Sequence, residues 1–426
     1  DIPFYDSRQR NRLKVFEIIA ESCEPLITNT TFIDSVKAAK FDIAFTHMYT
    51  FCGIGIVKLT GIPTWAWLVS APLVDHIGQA IGLPAPPSYC AHMMMDAGED
   101  MDYPQRIKSW FANILTVPAV KFNLAGVETG HFRKHYGRDF PDLFEFAREC
   151  PLVFVNTMEL YDFGRPTLHK IVNIGGIGID TTAKNLTGEI AKRVESAEEG
   201  IIVMTFGSFA PMHLMPNEWK KSISTSFSRF PKVQFFIRYE LESDFFVDSL
   251  PKNVYVSKWL PQNDLLQHPK CKGLITHGGY NSLQDTLHAG VPAVTIALFG
   301  DQPRNARLAE KLGVGINLRK PDVIISLLFS VFTDFFIGID FISIFQKRLR
   351  KQIEMRPMSS EQLLVKWTEF LAEFKTLEHL VPYGNNLNFF VYYSLDVMTF
   401  VAIVVFIVGF FTISTMCKIF RCVRFF

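Results

Sequence analysis

The stretch ITHGGYNSLQDTLHAGVP, Ile275–Pro292, decides the fold. An apolar approach leads into His277-Gly278-Gly279, then into a run with helical spacing that stops at Gly290 and Pro292. The pattern reads as a buried strand, a tight turn and a helix ended by its glycine. Asn281 and Ser282 at the helix start are the expected caps. A helix N-terminus offers unpaired N–H groups and the positive end of a dipole, both of which favour an anion. A small anionic ligand is therefore expected at this mouth.

The same alternation repeats outward. GIIVMTFGSF (Gly200–Phe209), VQFFIRYE, NVYVSKWLPQ, VPAVTIALFGDQP and VGINL read as further strands. NEWKKSISTSFSRF, NDLLQHP and RNARLAEKLG read as helices between them. Strands alternating with helices predict a doubly wound parallel sheet, with ligands at the carboxyl edge of its strands. Gly207-Ser208 ends the apolar run Ile201–Phe206, and such a turn lets backbone N–H groups approach a phosphate. Upstream, FDIAFTHMYTFCGIGIV reads as a buried strand and a glycine-containing turn. IPTWAWLVS and PLVFVNT (Pro151–Thr157) read as two more strands of a second α/β half. VNIGGIGID (Val172–Asp180) reads as the hinge between halves. PAPPSYCAHMMMDAGEDM (Pro84–Met101) is a Pro- and Met-rich loop, suited to adaptable apolar contact or to ordinary packing.

With 426 residues and 48% hydrophobic content, the chain can build two or three domains. A formal net charge of +1 leaves no basic footprint for nucleic acid. The seven cysteines contain no CxxC pair, which argues against a zinc ribbon or a thioredoxin-like site. Their spacing is too wide for a small disulfide-stapled domain, and no cofactor or metal is expected.

Val397–Cys417 is 21 residues without a charge, about 31 Å of helix and enough to cross a bilayer. Tyr392 and Tyr393 precede it; Lys418, Arg421 and Arg424 follow it. The basic flank predicts a cytosolic tail (418–426) and a lumenal or extracellular body. Cys417 and Cys422 lie near that face, as plain thiols or as palmitoylation sites. The sequons Asn29-Thr30-Thr31 and Asn185-Leu186-Thr187 fit a lumenal body. The first residues are charged and do not form a signal peptide, so either a signal has been removed or the start is missing. A second apolar run, Val323–Phe345, contains Asp334 and Asp340. It is expected to be a buried amphipathic stretch or an atypical insertion rather than a second span.

Trp259–Gly315, from WLPQNDLLQHP through ITHGGYNSLQDTLHAGVP to the FGDQPRNARLAEKLGVG that ends it, closely resembles the signature of the UDP-glycosyltransferases. It is most similar to the membrane-bound animal UDP-glucuronosyltransferases. TFGSF, IGGIGI and the FFVYYSLDV before the apolar segment agree with that resemblance. It implies a GT-B fold: two Rossmann-like domains facing a cleft, plus one C-terminal transmembrane helix. The N-terminal domain (1–172), expected to be truncated at its start, would take a small lipophilic acceptor. The C-terminal domain (173–385, with 323–345 atypical) would take UDP-glucuronate or UDP-glucose. On this chain Trp259 resembles the residue that stacks on uracil, and Gln262 its hydrogen-bonding neighbour. His277 with Gly278, Gly279, Asn281 and Ser282 resembles the diphosphate site, and Ser208 and Arg238 are further contacts. Asp285 stands where the family has a ribose-binding Glu, one methylene longer. Asp301 and Gln302 match the pair that binds sugar hydroxyls.

The implied reaction is inverting glycosyl transfer by an enzyme of the endoplasmic reticulum membrane, as a homo-oligomer or with related transferases. The family's catalytic base is expected upstream of Asp1, and no glycine-rich His segment occurs in the first forty residues. His47 falls where the family's acidic partner is expected. It either replaces the base or is an ordinary loop histidine. A catalytically silent UDP-sugar-binding partner of active homologues is the alternative implied function.

Overall fold

The computed structural model describes residues 12–423 except 325–345, within which only Ser330 and Thr333 are placed. The expectation for Val323–Phe345 therefore lies almost wholly outside the described residues. The chain forms two compact units, one through Leu380 and one from Val381.

The first unit holds two parallel sheets. One has strands β1 (Ala44–His47), β2 (Trp65–Val69), β3 (Leu152–Val155) and β4 (Ile171–Asn173), paired in chain order. The other has β5 (Gly200–Thr205), β6 (Val233–Arg238), β7 (Val254–Ser257), β8 (Cys271–Thr276), β9 (Ala293–Thr295) and β10 (Gly315–Asn317). Its order is β10-β9-β8-β5-β6-β7, with every pair parallel. All six strands expected in this half are present. The chain runs outward from β5 to β7, then returns to β8 on the other side of β5. The strand order thus reverses between β5 and β8, and this is where an open α/β sheet leaves a crevice at its carboxyl edge. Every residue of β5 is buried, as expected for a strand covered on both faces.

Three features of the first half differ from the sequence reading. The glycine-containing segment after β1 is a helix, Cys52–Thr60, rather than a turn. Its N-terminus is stabilised from outside: the buried Glu128 carboxylate accepts the Phe51 N–H (2.8 Å) and the Thr50 hydroxyl. Burial pushes that carboxyl up to about 7 against these donors. Cys23 and Cys52 form a disulfide across 29 residues; cysteine spacing alone gave no sign of it. Finally, the helix Ser360–Phe374, assigned by sequence to the C-terminal domain, packs back on the first sheet. Its buried Leu371 joins Ala66, Leu152, Phe154 and Val172, and the Ser360 hydroxyl donates to Gly175 O at 2.7 Å. An apolar helix face is buried wherever a complementary surface exists, whatever its place in the chain.

The hinge segment is tightly packed. Gly176 has φ +80°, its N–H donates to Gln284 Oε1 (2.7 Å), and a Cβ there would meet the His288 ring at 2.4 Å. Its glycine permits close approach between halves rather than looseness. Around it, the Tyr161 hydroxyl donates to Gln284 (2.7 Å), Thr157 bonds Tyr280 (2.5 Å), and buried Arg304 pairs with Asp162. The Pro- and Met-rich loop also crosses, through Asp96–Arg307 and Glu99–Lys311 pairs at 2.8 Å.

The second unit carries the helix Leu395–Val423. Its segment Leu395–Ile419 is long and apolar enough to cross a membrane, and none of its most apolar window is buried. It contains the whole uncharged run expected to span.

Candidate functional site

The carboxyl ends of β5 and β8 meet around one imidazole. β8 ends at Thr276, and the following helix runs Tyr280–Ala289 with Gly279 at its N-cap. The cap is therefore Gly279, and Asn281 and Ser282 lie inside the first turn. Gly279 has no side-chain cap to offer, so the N–H groups of Tyr280, Asn281 and Ser282 have no intrahelical partner. The two glycines have separate roles. Gly278 takes φ +81°, a left-handed conformation. At Gly279 a Cβ would stand 2.6 Å from His277 Nε2; at Gly207, beyond β5, it would stand 2.9 Å from His277 Cε1. The imidazole is thus bracketed by two bare backbones at the switch point. Its Nδ1 lies 3.2 Å from the Thr276 hydroxyl, and burial drives its pKa down to about 4. His277 is consequently neutral at physiological pH, and it offers an anion a hydrogen bond rather than a charge.

Beside this seat lie two groups. The Arg238 guanidinium sits over the Trp259 ring, 5.6 Å from its centroid, and donates to the Ser208 hydroxyl at 3.4 Å. The indole is 73% exposed, an open plate for a flat ring. Gln262 Nε2 donates to Asp285 Oδ2 at 2.8 Å, and burial raises that carboxyl to about 6.

Asp301 and Gln302 are brought to the same edge but are already partly engaged. Gln302 is buried, and its side-chain oxygen accepts the N–H groups of Leu298 (2.8 Å) and Phe299 (3.0 Å). Only its amide donors remain for a ligand. Asp301 accepts from Asn305 at 2.8 Å, and burial raises its pKa. Burial, and then the Asp301 charge, raise the pKa of the exposed Tyr49 phenol, which comes from the other half.

Asn281 departs from its expected part. Its side-chain oxygen accepts from Asn156 Nδ2 at 2.9 Å, so the carboxamide is turned toward the first half. The same Asn156 amide donates to Ser70 O (3.1 Å), and Gln284 donates to Asn156 Oδ1 (3.1 Å). Ser70 Oγ in turn lies 3.3 Å from His47 Nε2. A polar path therefore runs from the helix mouth to a histidine at the end of β1. Sequence reasoning missed Asn156 and Ser70. The only available signal was a polar residue at the carboxyl end of each apolar strand. His47 also packs against the Tyr49 ring, with centroids 4.7 Å apart, and partial burial lowers its pKa.

Two facing parallel α/β sheets with a ligand edge between them define the GT-B class of glycosyltransferase. Solved structures agree. The glycotransferase of kitacinnamycin superposes with a TM-score of 0.61 at 14% identity, covering 88% of this chain and 86% of that one. The calicheamicin glycosyltransferase CalG4 superposes at 0.54 and 14%, covering 82% and 81%. The family model described as UDP-glucoronosyl and UDP-glucosyl transferase matches residues 4–425. The putative UDP-glucuronosyltransferase ugt-48 of Caenorhabditis elegans is 30% identical over 388 residues, 88% of this chain and 72% of that protein. UDP-glucuronosyltransferase 2C1 of Oryctolagus cuniculus is 29% identical over 380 residues, 89% and 74%. The chain belongs to the UDP-glucuronosyl and UDP-glucosyl transferase family, and it is a glycosyltransferase that uses a UDP-sugar.

Proposed function

We propose that this transferase is membrane-anchored and inverting, and that it moves a glucuronosyl or glucosyl group from UDP-glucuronate or UDP-glucose to a small lipophilic alcohol or phenol. The observation that supports this best is the path from Asn281 through Asn156 and Ser70 to His47. It sets an imidazole on the acceptor side, beside the mouth that would hold the leaving group.

In this reading Trp259 stacks on uracil, Asp285 and Gln262 take the ribose, and Ser208 and Arg238 border the nucleotide. Asp301 and the free amide of Gln302 take sugar hydroxyls. The acceptor oxygen attacks the anomeric carbon in line with the bond to the diphosphate. Its proton passes to His47 Nδ1, the nitrogen left open when Nε2–H donates to Ser70. As the carbon–oxygen bond to UDP breaks, the charge that develops on the diphosphate meets the N–H groups of residues 280–282 and neutral His277.

The body is proposed to be lumenal, in the endoplasmic reticulum. The Cys23–Cys52 disulfide supports an oxidising compartment. Asn29 and Asn185 are exposed, as acceptors of a glycan must be.

The test is transfer of radiolabelled sugar from each donor to a panel of phenols by vesicle-bound protein. Transfer from one donor is expected. UDP binding without transfer from either would defeat the reading and leave a silent UDP-sugar-binding partner. Acidity provides a second measurement. Because the Asp285 carboxyl titrates at about 6, its ionised, ribose-accepting form is lost below that pH. UDP affinity is expected to rise between about pH 5 and pH 7, by at most about tenfold per unit. The comparison is with Asp285→Asn, which shares the titration of the diphosphate itself. Parallel pH profiles for the two proteins would remove Asp285 from the ribose site.

A further inference from the structure

Three helices of the first half meet around a second imidazole. Arg12–Glu21 ends at Glu21, Cys23–Thr28 carries Glu24, and Gly126–Tyr136 carries His131 and His135. Residues four apart share one face of a helix, so His131 and His135 stand one above the other. The His131 side chain is only 12% exposed and has a carboxylate at each nitrogen. Glu21 Oε2 lies 3.7 Å from its Nε2, and Glu24 Oε2 lies 3.6 Å from its Nδ1. Both separations are too long for a hydrogen bond. Nε2 is buried and has no hydrogen-bond partner among the described residues. His135 Nε2 lies 2.8 Å from Glu24 Oε1. A buried polar atom left unpaired calls for an explanation, and a bound ion is one.

We propose that Glu21, Glu24, His131 and His135 form a zinc site that ties these helices together. One ligand atom each from Glu21, Glu24 and His131 all lie within 4.8 Å of one another. Zinc holds imidazole nitrogen and carboxylate oxygen about 2.0–2.2 Å away, so the ligand atoms of a tetrahedral site stand about 3.4 Å apart. The 3.7 Å between His131 Nε2 and Glu21 Oε2 is close to such an edge. Two imidazoles and two carboxylates suit zinc better than calcium or magnesium, which take oxygen ligands. The charge also fits. Among the described residues, the Lys134 ammonium, 2.7 Å from Glu24 Oε1, is the one fixed positive charge paired with the two carboxylates. It is 66% exposed and can turn to solvent as an ion enters. The backbones that carry the ligands are already held: the Tyr136 hydroxyl donates to Ile27 O (2.5 Å), and Cys23, between the two glutamates, is bonded to Cys52. Such a frame limits the ordering that binding must impose. No local sequence motif announces the site, because Glu24 and His135 are 111 residues apart. Its role is to stabilise the first half, and it takes no part in sugar transfer.

The experiment uses the full chain in detergent, without a polyhistidine tag and stripped of metal by a chelator. Cobalt(II) serves as the spectroscopic probe, and zinc(II) is titrated by calorimetry. One equivalent of cobalt is expected to give the intense visible absorption of tetrahedral coordination, and one equivalent of zinc to remove it. His131→Ala is expected to weaken zinc binding at least about tenfold, since even the outer partners of a metal ligand contribute that much. Glu21→Gln should do the same; its side chain is 59% exposed, so this variant tests the site without opening the interior. Exposed His169 lies outside the cluster, and His169→Ala is expected to bind zinc as the wild type does. Zinc should also raise the unfolding midpoint of the wild type and leave that of Glu21→Gln unmoved, because an ion that binds only the folded chain stabilises it. Absence of zinc binding at micromolar concentrations overturns the proposal. So does binding that Glu21→Gln and His131→Ala leave unchanged, which would place the ion elsewhere. If His131→Ala fails to fold, Glu21→Gln decides alone.

Discussion

Replacing His47 by alanine is expected to lower kcat for sugar transfer by about 10²–10⁴-fold, the usual contribution of a general base. Affinity for UDP is expected to stay unchanged. The separation follows from position. His47 ends β1 in the first sheet, while the helix mouth proposed to hold the diphosphate belongs to the second, and a polar path through Ser70 and Asn156 joins them. Partial burial holds the imidazole pKa below its ordinary value, so the neutral, proton-accepting form dominates at pH 7 and persists into mildly acidic solution. The wild-type kcat is therefore expected to decline only at acidic pH, and the residual activity of His47→Ala to lack that limb. Ser70→Ala should lower kcat less, because it removes the partner that orients the ring and not the base. Single-turnover rates with saturating donor check all three. An unchanged rate in His47→Ala would make the residue an ordinary loop histidine and return the base to some other group.

Substituting Gly279 by valine is expected to weaken UDP binding about 100-fold or more. The first atom of the new side chain would fall 2.6 Å from His277 Nε2, inside the space the ring occupies. The ring has no retreat on its other side, because the Gly207 backbone closes it there. It must swing toward the seat, displacing the anion and disturbing the first helical turn. Hydrogen bonds to a charged group contribute about 1.5–3 kcal/mol each, so losing one or two yields the stated factor. Calorimetric titration with UDP measures the effect. Gly300→Ala is the control: unlike Gly279 that glycine has positive φ (+65°), so the substitution strains the backbone, but nothing lies within 4 Å of the added methyl. Equal affinity in Gly279→Val and wild type would show that His277 and the helix mouth do not hold the diphosphate.

The second half of the first unit was legible from its residues because its signals are local. An apolar run such as Ile201–Phe206 needs only a covering on both faces to become a strand, and Gly290 can end a helix without reference to any partner. The six strands, the helices between them and the long C-terminal apolar helix all follow from such short-range patterns. The His-Gly-Gly turn was likewise legible as a tight turn between a strand and a helix. The sequence could not say why two glycines are needed. One answers to a backbone angle at Gly278, and the other to the bulk of an imidazole that Gly207, seventy residues earlier, brackets from the opposite side.

Whatever depended on two distant surfaces meeting was decided by the tertiary structure. Ser360–Phe374 lies within the stretch assigned to the C-terminal domain, and nothing in its residues reveals that it forms a helix on the first sheet. Cys23 pairs with Cys52, 29 residues away, at the start of a helix whose N-terminus Glu128 caps from elsewhere in the chain. Asn281 suits a cap by type, yet Asn156 draws its carboxamide across the cleft. His277 would be partly charged in water and is neutral here because burial disfavours the ion. The sequence by itself determined the strands and helices of the second half, the turn that opens the helix Tyr280–Ala289 and the long apolar helix, since periodicity and turn chemistry act over a few residues. The partners, protonation states and facing of those elements were left to the fold, because burial and pairing are properties of surfaces in contact.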